Sequence, residues 1–268
     1  MLEILNPRSA RGCIRHALFD FDGTLSLIRE GWQDVMIPMM VELLLQTPRA
    51  EDAARIESVV REFVSRLTGK QTIYQMMQLA EEIRLRGGNP LEPLVYKRMY
   101  LDRLNDRIAH RIAGLKSGRI APVDLMVPDS LAILETLRAR GVRCYLASGT
   151  DEPFVLAESA ALGLAPYFVG IYGAQDDYKT FSKRMIIDRI IAEHGLAGPE
   201  FVAFGDGYVE IEDTKRVGGL AVGLATDEAR RAGIDQWKRQ RLIEAGADAI
   251  APDFRCHDEI IAYLWGEA

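Results

Sequence analysis

Six apolar runs of strand length, at residues 13–19, 142–147, 168–172, 201–204, 220–225 and 247–251, are set off from one another by turn-forming residues. Between the last five lie stretches of helical period at 154–161, 183–194, 210–217 and 235–245. This alternation admits few folds, because parallel strands need long crossovers and the crossover is usually a helix. Repetition of strand, helix and strand therefore predicts a parallel sheet covered by helices on both faces.

The order is interrupted once. Residues 27–125 hold almost no strand-like run, whereas 30–45, 50–67, 72–86 and 91–116 each place apolar residues at three- and four-residue spacing. Breaks fall at Thr47-Pro48, Thr68-Gly69-Lys70 and Gly87-Gly88-Asn89-Pro90. The chain of 268 residues, longer than most single domains, is thus read as an α/β, Rossmann-like core at 1–26 and 126–268 with an all-helical insertion at 27–125. The core resumes at Val127-Pro128-Asp129-Ser130, with Asp129 or Ser130 as cap of a helix over 131–140.

Hydrophobic residues at 48% and charged residues at 27% are the proportions of a folded globular chain and exclude a disordered or fibrous one. A net charge of −6 with both signs interspersed offers no basic face for nucleic acid or anionic lipid. The three cysteines, Cys13, Cys144 and Cys256, are far apart and lack metal-site spacing, so they read as buried thiols of a reducing compartment. No apolar run reaches membrane-spanning length and the first residues lack a signal-peptide layout, so a cytoplasmic protein is expected.

Ligands of an open parallel sheet gather outside the carboxyl ends of its strands. At those ends stand Phe19-Asp20-Phe21-Asp22-Gly23-Thr24, then Ser148-Gly149-Thr150, then Gly205-Asp206-Gly207 followed by Glu210, Glu212 and Asp213. Lys183 opens a helix just before the fourth strand. Asp20 and Asp22 would crowd like charges on one side of a continuing strand; either a cation lies between them or the chain turns at Gly23 and the carboxylates diverge. Acidic groups, a hydroxyl beside glycine and one lysine suit a phosphoryl group bridged to a divalent cation. Any one of these motifs alone is more often a turn than a site. Their recurrence at successive strand ends is what points to chemistry.

The four elements, in this order and spacing, resemble the motifs of the haloacid dehalogenase superfamily, over about residues 13–25 and 127–255. The resemblance implies that Asp20 is a nucleophile, that Asp22 is a general acid and then base, and that Ser148, Gly149, Lys183, Gly23 and Thr24 bind the phosphoryl group. It also implies Mg2+ held by Asp20, the Asp22 backbone carbonyl and Asp206, with Glu210 nearby. Glu210 stands where many members have Asp, and Glu212 and Asp213 compete for its role. Lys179 competes with Lys183, which is favoured because it directly precedes the apolar-periodic stretch 185–191. The helical insertion is similar to the family's C1-type cap.

These residues lead us to expect a Mg2+-dependent phosphatase acting on a small phosphorylated metabolite through an aspartyl phosphate. A phosphomutase on a phosphosugar uses the same groups, and trapping a bisphosphorylated intermediate would distinguish it. A non-catalytic phosphate-ligand binding protein is a third reading, which need not keep nucleophile and acid together. His16, His110, His194 and His257 lack ligand spacing and read as surface or loop residues. Met36, Met39, Met40, Met76 and Met77 read as packing in the insertion. Lys70, Gln71, Arg98 and Tyr100 are candidate substrate contacts from the insertion, and Lys238-Arg239-Gln240-Arg241 reads as a solvated helix face.

Overall fold

The computed structural model describes residues 1–267. Its strands are β1 (Glu3–Ile4), β2 (His16–Phe19), β3 (Arg143–Asp151), β4 (Phe168–Ala174), β5 (Phe201–Gly205), β6 (Leu220–Leu224) and β7 (Ala249–Ala251). The helices are α1 (Gln33–Leu45), α2 (Ala53–Leu67), α3 (Thr72–Leu85), α4 (Pro93–Lys116), α5 (Ser130–Ala139), α6 (Glu152–Ala161), α7 (Lys183–His194), α8 (Tyr208–Arg216), α9 (Gln236–Glu244) and α10 (His257–Trp265). The strands form one sheet in the order β1-β7-β6-β5-β2-β3-β4. Neighbours are parallel except β1, which runs antiparallel to β7 and makes the sheet mixed. That edge strand has no apolar signal; Glu3 within it is held by the Arg239 guanidinium at 2.7 Å.

β2 is central, with Phe19 opposite Leu146 of β3 and Phe204 of β5. Leu18 packs toward α7 with Tyr145, Ala203 and Ile187. Phe19 points the other way and stacks on Phe204 with ring centroids 4.5 Å apart. Burial on both sides explains why Ala17, Leu18 and Phe19 of β2 are apolar without alternation. Of the cysteines, Cys144 and Cys256 are buried, but Cys13 lies ahead of β2 and is exposed, against the expectation of three buried thiols.

The chain divides into two compact units, Met1–Glu30 with Arg111–Ala268 and, between them in sequence, Gly31–His110. The second is narrower than the insertion expected at 27–125. Hydrogen bonding explains the difference: the Leu27 N–H donates to the Leu125 carbonyl at 2.8 Å, and Arg111 donates to the Ile28 and Glu30 carbonyls at 2.7 and 2.9 Å. Within the second unit α1 packs on α2 and α2 on α3. Met36, Met39, Met40 and Met76 are buried there, while Met77 is half-exposed.

α7 has the bounds its sequence implies because both stops are local. The Ser182 hydroxyl accepts the Met185 N–H at its start, and Gly195 adopts the left-handed conformation at its end. α5 begins after Asp129 in a left-handed conformation, and the Ser130 hydroxyl turns back to the Val127 carbonyl at 2.7 Å. No helix among the described residues is long and apolar enough to cross a membrane.

Candidate active site

β2 ends at the candidate site. The Asp20 N–H still donates to the Phe204 carbonyl at 2.9 Å, and the chain then folds back so that the Phe21 carbonyl accepts from Leu25 and Ser26, each at 2.9 Å. Gly23 sits in this turn at φ +75°, and a Cβ there would lie 2.3 Å from Asp206 Oδ2. Backbone conformation and space both call for glycine. The turn sends Asp20 and Asp22 to different partners, which is one of the two ways out of their repulsion.

His16, Leu18 and Asp20 share the α7 side of β2 by strand alternation. The first residue of α7 is Lys183, and its ammonium reaches Asp20 Oδ1 and Glu210 Oε2, each at 2.8 Å. Glu210 is fully buried and its other oxygen accepts the Gly207 N–H at 2.8 Å. A Cβ on Gly205 would fall 2.0 Å from that same oxygen, so the glycine makes room for the carboxylate. Burial opposes the charge of Lys183, but Asp20 and Glu210 outweigh it and hold the ammonium above its ordinary range. Burial, with Glu210 and Asp206 nearby, pushes Asp20 well up despite the lysine.

Asp22 Oδ2 accepts the Thr150 hydroxyl at 2.8 Å and lies 3.5 Å from the Ser148 hydroxyl. Ser148 Oγ itself accepts the Thr150 N–H at 3.1 Å, across half-buried Gly149. Burial raises Asp22 to about 6; Arg29 counters it most, followed by the Thr150 hydrogen bond. Arg29 and Glu158 form a buried bidentate pair at 2.6 and 3.1 Å. Two buried oxygens beside this turn, Asp22 Oδ1 and Thr24 Oγ1, have no hydrogen-bond partner among the described residues. Such atoms are uncommon, and the described part of the protein itself supplies no partner for them.

One oxygen each from Asp20, Asp206 and Glu210 fall within 4.8 Å of one another. An all-oxygen carboxylate set fits a hard divalent cation such as Mg2+, whose charge would offset the burial and the carboxylate repulsion that raise Asp20. Both Glu210 oxygens already accept from Lys183 and Gly207, so Glu210 anchors the lysine. Of its competitors, Glu212 is exposed and Asp213 turns toward Arg216 at 3.9 Å. Lys179 is exposed beside the Tyr178 ring.

Two expectations are overturned at this sheet. Lys238 is not on a solvated face: it is buried, with its ammonium 2.7 Å from Asp206 and 2.6 Å from Glu228. Its neighbours are engaged as well, Arg239 with Glu3 and Arg241 stacked over Trp237 and Tyr208. Nothing in a run of four polar residues distinguishes the one that turns inward. His16 is likewise not a surface residue; it is 3% exposed at the far end of β2, stacked on His194 at 4.4 Å. Thr150 and the Arg29–Glu158 pair are further polar groups by Asp22 that the sequence reading did not assign. Alternation could have found Thr150, two positions beyond Ser148 on the same strand.

A family model described as haloacid dehalogenase-like hydrolase matches residues 14–218. No curated protein matches the sequence. Among solved structures, the phosphonoacetaldehyde hydrolase-like protein from Oleispira antarctica has a TM-score of 0.65 at 13% identity, covering 97% of this chain and 95% of its own. A predicted phosphoglycolate phosphatase from Haemophilus somnus 129PT has a TM-score of 0.61 at 15% identity, covering 92% of this chain and 98% of its own. CbbY from Rhodobacter sphaeroides, in complex with phosphate, has a TM-score of 0.56 at 20% identity, covering 90% of this chain and 95% of its own. At these identities the structures share the fold.

Proposed function

The chain belongs to the haloacid dehalogenase-like hydrolases, and from that premise we propose that it is a Mg2+-dependent phosphatase acting on a small phosphomonoester through an aspartyl phosphate on Asp20. The observation that carries this reading is the division of labour between neighbouring carboxylates, Asp20 on Lys183 at 2.8 Å and Asp22 on Thr150 at 2.8 Å. A nucleophile needs a cation beside it, and an acid needs a place apart where it can hold a proton.

In the first step an Asp20 oxygen attacks phosphorus in line with the ester oxygen. The P–O ester bond breaks, its electron pair stays on the leaving oxygen, and Asp22 delivers a proton there. In the second step the Asp22 carboxylate takes a proton from water, the water oxygen attacks phosphorus, and the P–O bond to Asp20 breaks to release inorganic phosphate. A carboxyl at about 6 suits both duties near neutral pH, since it gives and regains its proton at little cost. Lys183, Ser148 and the turn at Gly23 and Thr24 are the proposed holders of the phosphoryl oxygens. When bound by Asp20, the Asp22 carbonyl and Asp206, Mg2+ supplies positive charge against those oxygens.

The test is a panel of phosphomonoesters with free phosphate detected, with and without Mg2+. Phosphate release that requires Mg2+ and falls by about a thousandfold or more in Asp20→Asn is the expected result. A folded Asp20→Asn protein that keeps most of its rate would overturn the nucleophile assignment.

A further inference from the structure

The acidic cluster carries two lysines, and the phosphatase reading uses only one. Lys183 serves Asp20 and Glu210. Lys238 serves Asp206 at 2.7 Å and Glu228 at 2.6 Å, and its side chain is only 10% exposed. A lysine withdrawn from water this far loses hydration that a surface ion pair would keep, so its place needs a reason. Burial opposes its charge, and Asp206 and Glu228 outweigh that and keep it an ammonium.

The fold delivers both partners deliberately. The segment after β6 closes on itself through a bridge between Thr226 and Ile234, and the Asp235 N–H donates to the Ala225 carbonyl at 2.8 Å. Asp235 then caps α9 by accepting the Trp237 and Lys238 N–H groups at 2.9 and 3.0 Å. Glu228 lies on this closed segment and Lys238 in the first turn of α9, and the lysine ammonium joins Glu228 to Asp206. The Gly23 turn comes against the same spot, where a Cβ would lie 3.0 Å from Glu228 Oε1.

We propose that Lys238, held by Glu228, is a built-in cation that shares Asp206 with Mg2+ and limits how tightly the site binds the metal; this rests on the Mg2+-dependent reading above. Lys238 fixes one oxygen of Asp206 and leaves the other to the cation, and is in that sense a positioning residue. Its charge also repels any divalent ion that Asp206 holds. The repulsion outweighs the positioning, because a unit charge facing a divalent ion in a partly buried site is worth more than one hydrogen bond. Glu228 moderates it by drawing part of the ammonium away from Asp206.

Opposite signs follow for the two partners. In a calorimetric Mg2+ titration of the whole protein without substrate, Lys238→Met should tighten the dissociation constant at least about tenfold, about 1.4 kcal/mol. Lys238→Gln, which keeps a donor for Asp206 but no charge, should tighten it likewise and stands in if the Met variant does not fold. Glu228→Gln should weaken it at least about threefold. Arg230→Met makes the same charge change as Lys238→Met at a 73% exposed side chain of the same segment and should leave affinity unchanged. General structural damage would weaken both site variants together. The proposal is overturned if neither Lys238 variant tightens binding, if Glu228→Gln does not weaken it, or if Arg230→Met tightens it as much. A parent protein that binds no Mg2+ removes the functional reading and this proposal with it. Binding by the parent without the reversal of sign removes this proposal alone.

Discussion

The two ends of α7 make opposite use of the same strand. At its first residue, Lys183 meets Asp20 at the exit of β2; at its last, His194 stacks on His16 at the strand's entry. Helix electrostatics disfavour a cation at the N-terminal end, so Lys183 stands against the dipole, and only the paired carboxylates Asp20 and Glu210 offset that cost. At the other end His16 is held neutral, lowered to about 4 by burial and by the neighbouring imidazole. One polar cluster is built from charges that repel or attract strongly, the other around an imidazole, His16, that has given up its charge. Stability alone would favour the second kind at both ends, which makes the first kind the candidate for chemistry under the proposed phosphatase reading.

The most forceful way to break this contrast is Lys183→Met. The stem is retained, but Glu210, fully buried, loses the ammonium that balances its charge, as does Asp20. Removing one member of a buried pair costs about 3–5 kcal/mol, so thermal unfolding should shift down by roughly ten degrees. Activity should vanish with it. A variant that melts like the parent would mean that Lys183 does not hold the cluster together.

The histidine end gives the next largest effect, and it appears only in acid. Unfolded, His16 takes up its proton near 6.5; folded, only near about 4. Stability is therefore complete above pH 6.5 and is lost as pH falls from there to about 4, by at most on the order of 3 kcal/mol. Melting temperature against pH for the parent and for His16→Phe checks this. The variant should be flatter over that window, and parallel curves would show that another group governs the acid limb.

How far the sequence revealed these two clusters depended on whether local rules set them. α7 was legible to the residue because Ser182 and Gly195 are stop signals next to its ends. Asp20, Asp22, Ser148, Lys183 and Asp206 were nameable because strand ends converge at one edge of a parallel sheet. Lys238 was not, because its position depends on how the segment after β6 closes, and no periodicity encodes that closure. His16 was misread for the related reason that its burial comes from α7 and β3, elements far away in sequence. The two-residue β1 escaped notice because its pairing comes from β7 at the other end of the chain.

The smallest effects sharpen the comparison most, since one hydroxyl can be removed at each end. The Tyr145 hydroxyl lies 3.3 Å from His16 Nδ1 and 3.0 Å from His194 Nε2. Without it His194, which is half-exposed, can turn to water, whereas His16 cannot. Tyr145→Phe should cost about 1–2 kcal/mol, a few degrees of melting temperature, and leave kcat alone. Thr150→Val removes the hydroxyl 2.8 Å from Asp22. Asp22 already keeps one buried oxygen without a partner, so the fold does not depend on its satisfaction and melting should hardly change. That hydrogen bond lowers the Asp22 carboxyl, so its loss should carry the group above about 6 and let it hold its proton to higher pH. The pH profile of kcat should move upward by the same amount. A shift in melting temperature with no shift in the profile would make Thr150 one more structural hydroxyl and erase the difference between the two ends.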